Sequence, residues 1–143
     1  MRTSQVTKVQ HSEGLIHPVL SPDRRFLAAI SNFDLDPSQP TRVMLFDTRS
    51  QDWREIARGT LVNPVQWSKD SGTFYYQDIL ADGQPAFRYS IAANKSEKFV
   101  DFENLLHAGY VRCSLIGFSP DGALAVTLRR NEVNIYRLDL DLP

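Results

Sequence analysis

The chain has 143 residues, 42% of them hydrophobic and 23% charged, which is typical of one globular domain and excludes a disordered chain. Its net charge of −1 gives no electrostatic case for binding nucleic acid or an anionic membrane, and its one cysteine, Cys113, excludes an internal disulfide and a cysteine-ligated zinc site. No apolar run approaches the roughly 18 residues of a membrane span, and residues 1–12 are too polar for a signal peptide. We therefore expect a cytoplasmic chain, or a periplasmic one if an upstream region carries a membrane span.

The first predicted elements form a unit of short strands. Residues 4–9 alternate weakly and predict an outer strand, and residues 11–17 predict a loop. Four strands are then predicted over residues 18–20, 25–31, 42–48 and 53–58. The second of them is apolar on both faces, which favours a strand covered on both sides.

The same order of elements then repeats. Four more strands are predicted over residues 64–67, 73–80, 87–91 and 97–102, and Asp82-Gly83 is a strong hairpin signal. One helical turn is expected around Leu105 and Leu106. The last predicted strands cover residues 114–118, 123–128 and 133–140.

A related turn stands after the first strand of each unit. The three copies are Ser21-Pro22-Asp23, Ser68-Lys69-Asp70-Ser71-Gly72 and Ser119-Pro120-Asp121-Gly122. Proline fixes φ for a tight turn, aspartate bonds its own backbone, and glycine supplies a positive φ. Because Arg24 stands where glycine is usual, we expect the first turn to be of a type that needs no positive φ.

A turn that recurs about every 50 residues, with several short strands in each period, is typical of a β-propeller. We predict an all-β fold in which residues 1–143 form a partial propeller of about three four-stranded antiparallel blades. The predicted units are 18–59, 64–102 and 114–143, the last completed by residues 4–9. Known propellers have about four to eight blades, so we expect either a six-bladed homodimer or a longer chain that supplies the missing blades.

The three turns, each followed by a strand and a later segment like Tyr136-Arg137-Leu138-Asp139, resemble those of the TolB-type, WD-repeat-like propellers of bacteria. The resemblance covers nearly the whole chain. More narrowly, Ser12–Leu15, Val43–Asp47 with Trp53, and Ile135–Leu140 resemble the C-terminal end of large bacterial proteins. In those proteins a winged-helix or kinase-like region precedes the propeller. The resemblance implies that this chain is the last blades of such a protein.

The chemistry-bearing residues form no convincing catalytic set. There is no Gly-x-Ser-x-Gly, so we expect no enzyme activity and no cofactor. His11, His17 and His107 lack the spacing of metal ligands. Asn32, Asp34 and Asp36 alternate as calcium ligands can, but the later Gly and Glu are missing, so a solvated turn is the better interpretation.

Two basic pairs and one aromatic run have structural interpretations. Arg24-Arg25 and Arg129-Arg130 fit solvated hairpin charges, with contact to an acidic partner as the sharper alternative. The aromatic run, Trp67 and Phe74-Tyr75-Tyr76, is expected to fill the space between blades.

We therefore expect a non-catalytic interaction or sensing module from a bacterial regulatory protein. The alternative is the accessory propeller half of a kinase-like or peptidase-like enzyme. Loops 11–17, 32–40, 60–63, 78–85, 107–113 and 129–132 are expected to open on one face, where recognition usually occurs. The candidate contacts with a protein or peptide are Glu13, His17, Asn63, His107 and Arg112.

Overall fold

The computed structural model describes residues 7–31, 38–119 and 122–130. Within these ranges there are ten strands, which form three antiparallel sheets, and one short helix. The first sheet has the order β1 (Leu15–Leu20), β2 (Phe26–Ser31), β3 (Thr41–Asp47) and β4 (Asp52–Gly59). The second has the order β5 (Val62–Trp67), β6 (Thr73–Asp78), β7 (Ala86–Ser90) and β8 (Lys95–Val100). The predicted all-β class and the repeated four-stranded sheet are confirmed.

The third sheet pairs β9 (Arg112–Phe118) with β10 (Leu124–Arg129). The helix α1 (Glu103–His107) lies between the second and third sheets in the chain, which confirms the predicted helical turn. No helix in the described part of the chain is long and apolar enough to cross a membrane.

Consecutive sheets pack face to face through apolar side chains. One core joins the first two sheets and consists of Phe26, Ala28, Ile30, Val43, Leu45, Val62, Trp67, Phe74, Tyr76 and Tyr89. A second core joins the second and third sheets and consists of Ala86, Phe102, Cys113 and Leu115. Because the central sheet is covered by a sheet on either side, its large apolar side chains are buried or half-buried, and none of them is exposed.

The recurring turns share one conformation, and the expectation for Arg24 was wrong. The residue after the aspartate has a positive φ in every copy, 61° at Arg24, 62° at Ser71 and 87° at Gly122. In each turn its N–H donates to the carbonyl oxygen of the first serine, at 2.9–3.0 Å. This hydrogen bond of the turn holds the exposed Arg24 in a region that ordinarily favours glycine.

The inner strands begin earlier than predicted. His17 was expected in a loop, but it lies in β1 and has a φ of 51°. The register of β1 with β2 shifts between Ile16 and Val19, so His17 and Pro18 form a bulge. Proline lacks the N–H that a ladder needs, and a bulge is where a strand tolerates it.

The N-terminal segment differs from the predicted outer strand over residues 4–9. Residues 7–9 belong to no strand. Instead, the Gln10 carbonyl accepts a hydrogen bond of 2.8 Å from the Trp53 indole, which ties this segment to β4 of the first sheet. Residues 4–6 and the predicted strand 133–140 lie outside the described residues, so the completion of the third unit stays a prediction.

Candidate functional site

Two opposite faces can be distinguished at the ends of the stacked sheets. The turns after β1 and β5 adjoin, because the Asp23 N–H donates to the Ser71 hydroxyl at 3.0 Å. The turns after β5 and β9 line one depression of about 520 Å³, to which Ser68 and Gly122 contribute. All three turns therefore lie on one face, the turn face. The segments that enter β1, β5 and β9 lie on the opposite one, the loop face.

A buried carboxylate organises the loop face. Asp78, at the end of β6, is 6% exposed. Its oxygens accept hydrogen bonds from four backbone N–H groups: Thr60 at 2.6 Å, Leu61 at 3.0 Å, and Leu80 and Ala81 both at 3.3 Å. Because these donors belong to two loops, Asp78 ties the segment that enters β5 to the loop between β6 and β7.

Gly59 is small enough to make room for this carboxylate. A Cβ added at Gly59 would lie 2.4 Å from Asp78 Oδ2 and 2.7 Å from Val62 Cγ2. Any larger residue would displace the carboxylate from its four donors.

Two buried glutamines tie the second sheet to β9. The Gln77 amide donates to the carbonyl oxygens of Gln84 at 2.9 Å and Cys113 at 2.8 Å, and its oxygen accepts the Leu115 N–H at 2.8 Å. The Gln84 amide donates to the Val111 carbonyl at 3.2 Å and accepts the Cys113 N–H at 2.8 Å. These side chains satisfy backbone groups of β9 that would otherwise be buried without partners.

Three of the predicted site residues lie at the entries of neighbouring inner strands. Glu13 precedes β1. Asn63 and Arg112 were expected in the loops 60–63 and 107–113, but Asn63 is the second residue of β5 and Arg112 the first residue of β9, because these inner strands begin earlier than predicted. β1 packs beside β5, and β5 packs beside β9. Glu13 is exposed and pairs with Lys8, whose hydrogen bond is the main cause that lowers the pKa of Glu13. The structure thus places these three residues on the loop face.

The two predicted histidines are placed differently. His107 ends α1, which packs against β9, and its side chain is exposed. His17 is also exposed but lies in the bulge of β1 rather than in the entering loop. His107 therefore stays near the strand entry at Arg112, whereas His17 lies further along the inner strand.

A cluster of arginines borders the same face. Arg112 was predicted as a partner contact, and Arg129-Arg130 as solvated hairpin charge with contact to an acidic partner as the alternative. Arg112 and Arg129 are register partners in β9 and β10. The next residue, Arg130, places its guanidinium carbon 4.4 Å from the centroid of the Tyr110 ring. The Arg129-Arg130 pair is visible in the sequence. That Arg112 belongs to the same cluster follows only from the pairing of β9 with β10.

Nothing in the described part of the chain forms a metal centre, since no group of three or more His, Cys, Asp or Glu side chains converges there. Asn32, Asp34 and Asp36 lie outside the described residues. Cys113 is fully buried, and burial raises the pKa of its thiol, which disfavours the nucleophilic thiolate.

The predicted aromatic filling between sheets is present. The Trp67 ring lies 6.0 Å from Phe26 and 5.0 Å from Phe74, and its indole donates to the Val19 carbonyl at 2.9 Å. Tyr75 lies on the other side, with its ring 4.6 Å from Phe118. Aromatic rings of the second sheet, from β5 and β6, therefore pack against both neighbouring sheets.

No known family model matches the sequence, and no curated protein sequence matches it. Solved structures match the fold. TolB from Acinetobacter baumannii is 16% identical, with a TM-score of 0.56, over 85% of this chain and 28% of that one. The β-propeller domain of the trilobed protease from Pyrococcus furiosus, described as having an open velcro topology, is 16% identical, with a TM-score of 0.51, over 60% of this chain and 28% of that one.

A structure from a study of two prolyl endopeptidases is 17% identical, with a TM-score of 0.53, over 81% of this chain and 18% of that one. The chain thus spans less than a third of each of these proteins. At these identities the likeness establishes the fold, which is that of TolB-like β-propeller blades. The predicted fold class is confirmed.

Proposed function

We propose that this chain is a non-catalytic protein-interaction module, the terminal part of a TolB-like propeller from a bacterial regulatory protein, which binds a protein or peptide through its loop face. The observation that carries this proposal is the fixed backbone of that face. Asp78 holds two loops through four N–H groups, and Gln84 holds the segment that enters β9.

Loops fixed in this way are suited to recognition. A loop that is already ordered loses less conformational entropy when a partner binds. Loops on a rigid scaffold are also where binding residues concentrate. Asn63 and Arg112 stand at the edges of these fixed segments with half-buried side chains, and the exposed Glu13 precedes the neighbouring strand β1.

Binding rather than catalysis is favoured by the chemistry of the described residues. Cys113 is buried in the core with a raised thiol pKa. The carboxylate of Asp78 is engaged by backbone donors, so it is committed to structure. We therefore propose that the chain itself catalyses no reaction.

Peptide selection tests the loop face. A phage-displayed library of random dodecapeptides is selected on the wild-type chain, and the affinities of the selected peptides are measured by fluorescence anisotropy. The double variant Glu13→Ala, Asn63→Ala is expected to weaken binding about tenfold or more, as truncation of central contacts does. Lys69→Ala, an exposed change on the turn face, is the matched control and is expected to have no effect.

Peptides whose affinity survives the double variant but falls in Lys69→Ala would place recognition on the turn face and overturn the proposal. Circular dichroism and thermal unfolding of both variants verify that the fold is retained.

A second candidate function is the accessory propeller half of an enzyme. It is favoured by the likeness to the propeller domain of a trilobed protease and to a structure from a study of prolyl endopeptidases. The gene sequence upstream of the Met1 codon distinguishes the regulatory module from the enzyme half. A winged-helix region there supports the regulatory proposal, whereas a hydrolase or kinase signature supports the enzyme.

A further inference from the structure

The arginine cluster, Arg112, Arg129 and Arg130, is an unusual arrangement of like charges. Arg112 and Arg129 stand directly opposite each other at the end of the β9–β10 pair. The Val111 N–H donates to the Arg129 carbonyl at 2.9 Å and closes this end of the sheet. Directly opposed residues share a face with Cβ atoms about 4.5–5.5 Å apart, and like charges there are destabilising.

The third guanidinium is held beside this pair. Arg130 stacks its guanidinium 4.4 Å from the centroid of Tyr110 and donates to the Ala108 carbonyl at 3.5 Å. Both contacts leave the positive charge unneutralised, because an aromatic ring and a carbonyl oxygen carry no formal charge. Arg129 and Arg130 are exposed, and Arg112 is half-buried.

The described residues supply no counter-charge to the cluster. Five ion pairs join other residues in the described ranges, and none of them includes an arginine of the cluster. Arg25, Arg58 and Arg88, by contrast, each form an ion pair with a carboxylate. An arrangement that lowers the stability of the fold and finds no counter-charge in ranges 7–31, 38–119 and 122–130 is suited to an external anion.

We infer that the arginine cluster binds an acidic peptide segment, one with neighbouring Asp or Glu side chains and an apolar residue beside them. Guanidinium groups match carboxylates in bidentate geometry. The apolar contact is Val111, which is 46% exposed and whose backbone is fixed by Gln84 and Arg129. This inference rests on the proposed function and names the chemistry of the partner.

A protein partner fits better than nucleic acid. Affinity for a phosphate backbone grows with the number of cations that contact it and is strongly lowered by salt. The chain as a whole carries a net charge of −1, which gives little long-range attraction for a polyanion. Tyr110 is covered by Arg130 and is therefore not free to stack with a base.

The probe is a fluorescein-labelled, amidated peptide, Glu-Asp-Glu-Leu-Glu-Asp-Glu-Gly, and its control has Gln and Asn at the acidic positions. Binding to the wild-type chain is measured by anisotropy at low and at physiological salt. We expect the acidic peptide to bind, the control peptide to bind about tenfold more weakly or worse, and Arg129→Glu to lower the affinity for the acidic peptide by about tenfold or more.

Arg129→Glu also separates loss of binding from loss of fold. The new carboxylate would stand opposite Arg112 and replace a repulsive pair with an attractive one. Its thermal midpoint is therefore expected to equal or exceed that of the wild-type chain while binding is lost. Arg42→Ala, an exposed change in the first sheet, is the matched control and should leave the affinity unchanged.

Three results would overturn the inference: no binding of the acidic peptide, equal affinity in Arg129→Glu, or tighter binding of a fluorescein-labelled DNA duplex than of the peptide. If dodecapeptides bind through Glu13 and Asn63 while the acidic peptide does not bind, the proposed function stands and this inference alone fails.

Discussion

Arg24 occupies a left-handed backbone conformation, with a φ of 61°, at the position that Gly122 occupies in the third turn. A residue with a Cβ pays about 1–2 kcal/mol for this conformation. Glycine avoids that cost but loses more entropy on folding, by about 0.5–1 kcal/mol. The difference between these two free energies favours glycine slightly at this position.

We therefore expect Arg24→Gly to raise the free energy of unfolding by about 0.5 kcal/mol, measured by urea denaturation. Arg49→Gly is the matched control, because Arg49 is also exposed in a turn but has no positive φ, and it should lower stability. Equal losses in the two variants would contradict the argument from backbone strain.

Asp78 is the residue on which the loop face most depends. Asp78→Ala removes the acceptor of four backbone N–H groups, and we expect it to lower the free energy of unfolding by about 2–4 kcal/mol. Asp82→Ala, a substitution at an exposed position of the loop that follows Asp78, should change the free energy of unfolding little. Comparable thermal midpoints for the two variants would show that the Asp78 hydrogen bonds are not needed.

At the scale of elements, the sheets are joined by side chains as well as by apolar packing. Gln77 belongs to β6, yet its amide makes two hydrogen bonds to the backbone of β9. Apolar faces can slide over one another, whereas a hydrogen bond to one backbone group fixes a single register. The position of β9, and with it Arg112, therefore depends on Gln77.

Gln77→Leu should destabilise the chain by about 2–3 kcal/mol, because two backbone groups of β9 lose their partners in the core. Hydrogen exchange measures the effect locally, and the Leu115 amide should exchange faster relative to amides of β2. Gln39→Leu, at an exposed position, is the control. Unchanged protection at Leu115 would mean that apolar packing alone orders β9.

Irregularities in the inner strands accommodate two prolines. Pro18 and Pro64 each lie at a shift in the register of an inner strand with its neighbour. A bulge accommodates the missing N–H without loss of the rest of the ladder. The same irregularity moves His17 out of the entering loop that the sequence predicted.

At the scale of the whole molecule, acid stability is governed by carboxylates with lowered pKa values. Hydrogen bonds from Ser21 and Ser68 are the main causes that lower the pKa of Asp23 and Asp70, one in each of the first two turns. The hydrogen bond from the Arg25 guanidinium is the main cause that lowers the pKa of Asp47. A carboxyl with a lowered pKa in the folded state stabilises the fold above its unfolded pKa and ceases to do so as the pH falls through its folded pKa.

We therefore expect the free energy of unfolding to be level between about pH 5 and pH 7 and to fall progressively below about pH 4. Asp47→Asn removes one of these carboxyls and should make the decline less steep, measured by urea denaturation at successive pH values. A decline that begins near neutral pH, or one that Asp47→Asn leaves unchanged, would contradict this account.

The third sheet has an exposed apolar side chain, Ile116, at 63% exposure. Such a position on a sheet favours association with another sheet. We propose that the missing blades are supplied by a second copy of the chain, as in a six-bladed homodimer, or by a longer chain. If a second copy supplies them, light scattering should show that the purified chain self-associates with rising concentration and that Ile116→Ser reduces this self-association. Leu80→Ser, at 54% exposure on the loop face, is the control, and an equal effect of the two would contradict a specific interface.

The sequence by itself determined the repeated unit. The turn copies at Ser21, Ser68 and Ser119, with alternating or doubly apolar strands between them, were enough to predict four-stranded antiparallel sheets in propeller order. These signals are local, since a turn and a strand period are properties of a few consecutive residues. For the same reason the sequence placed Glu13, Asn63 and Arg112 at strand entries.

Only the tertiary structure decided which distant residues meet. The hydrogen bonds from Thr60 and Leu61 to Asp78, the glutamine bridges to β9 and the opposition of Arg112 to Arg129 all join residues from separate strands or loops. No local pattern in a single sequence encodes such a meeting, because strand register and sheet stacking are set by the packing of the whole chain. Arg24 shows the same principle in its backbone, where the surrounding turn imposes a conformation that the residue alone disfavours.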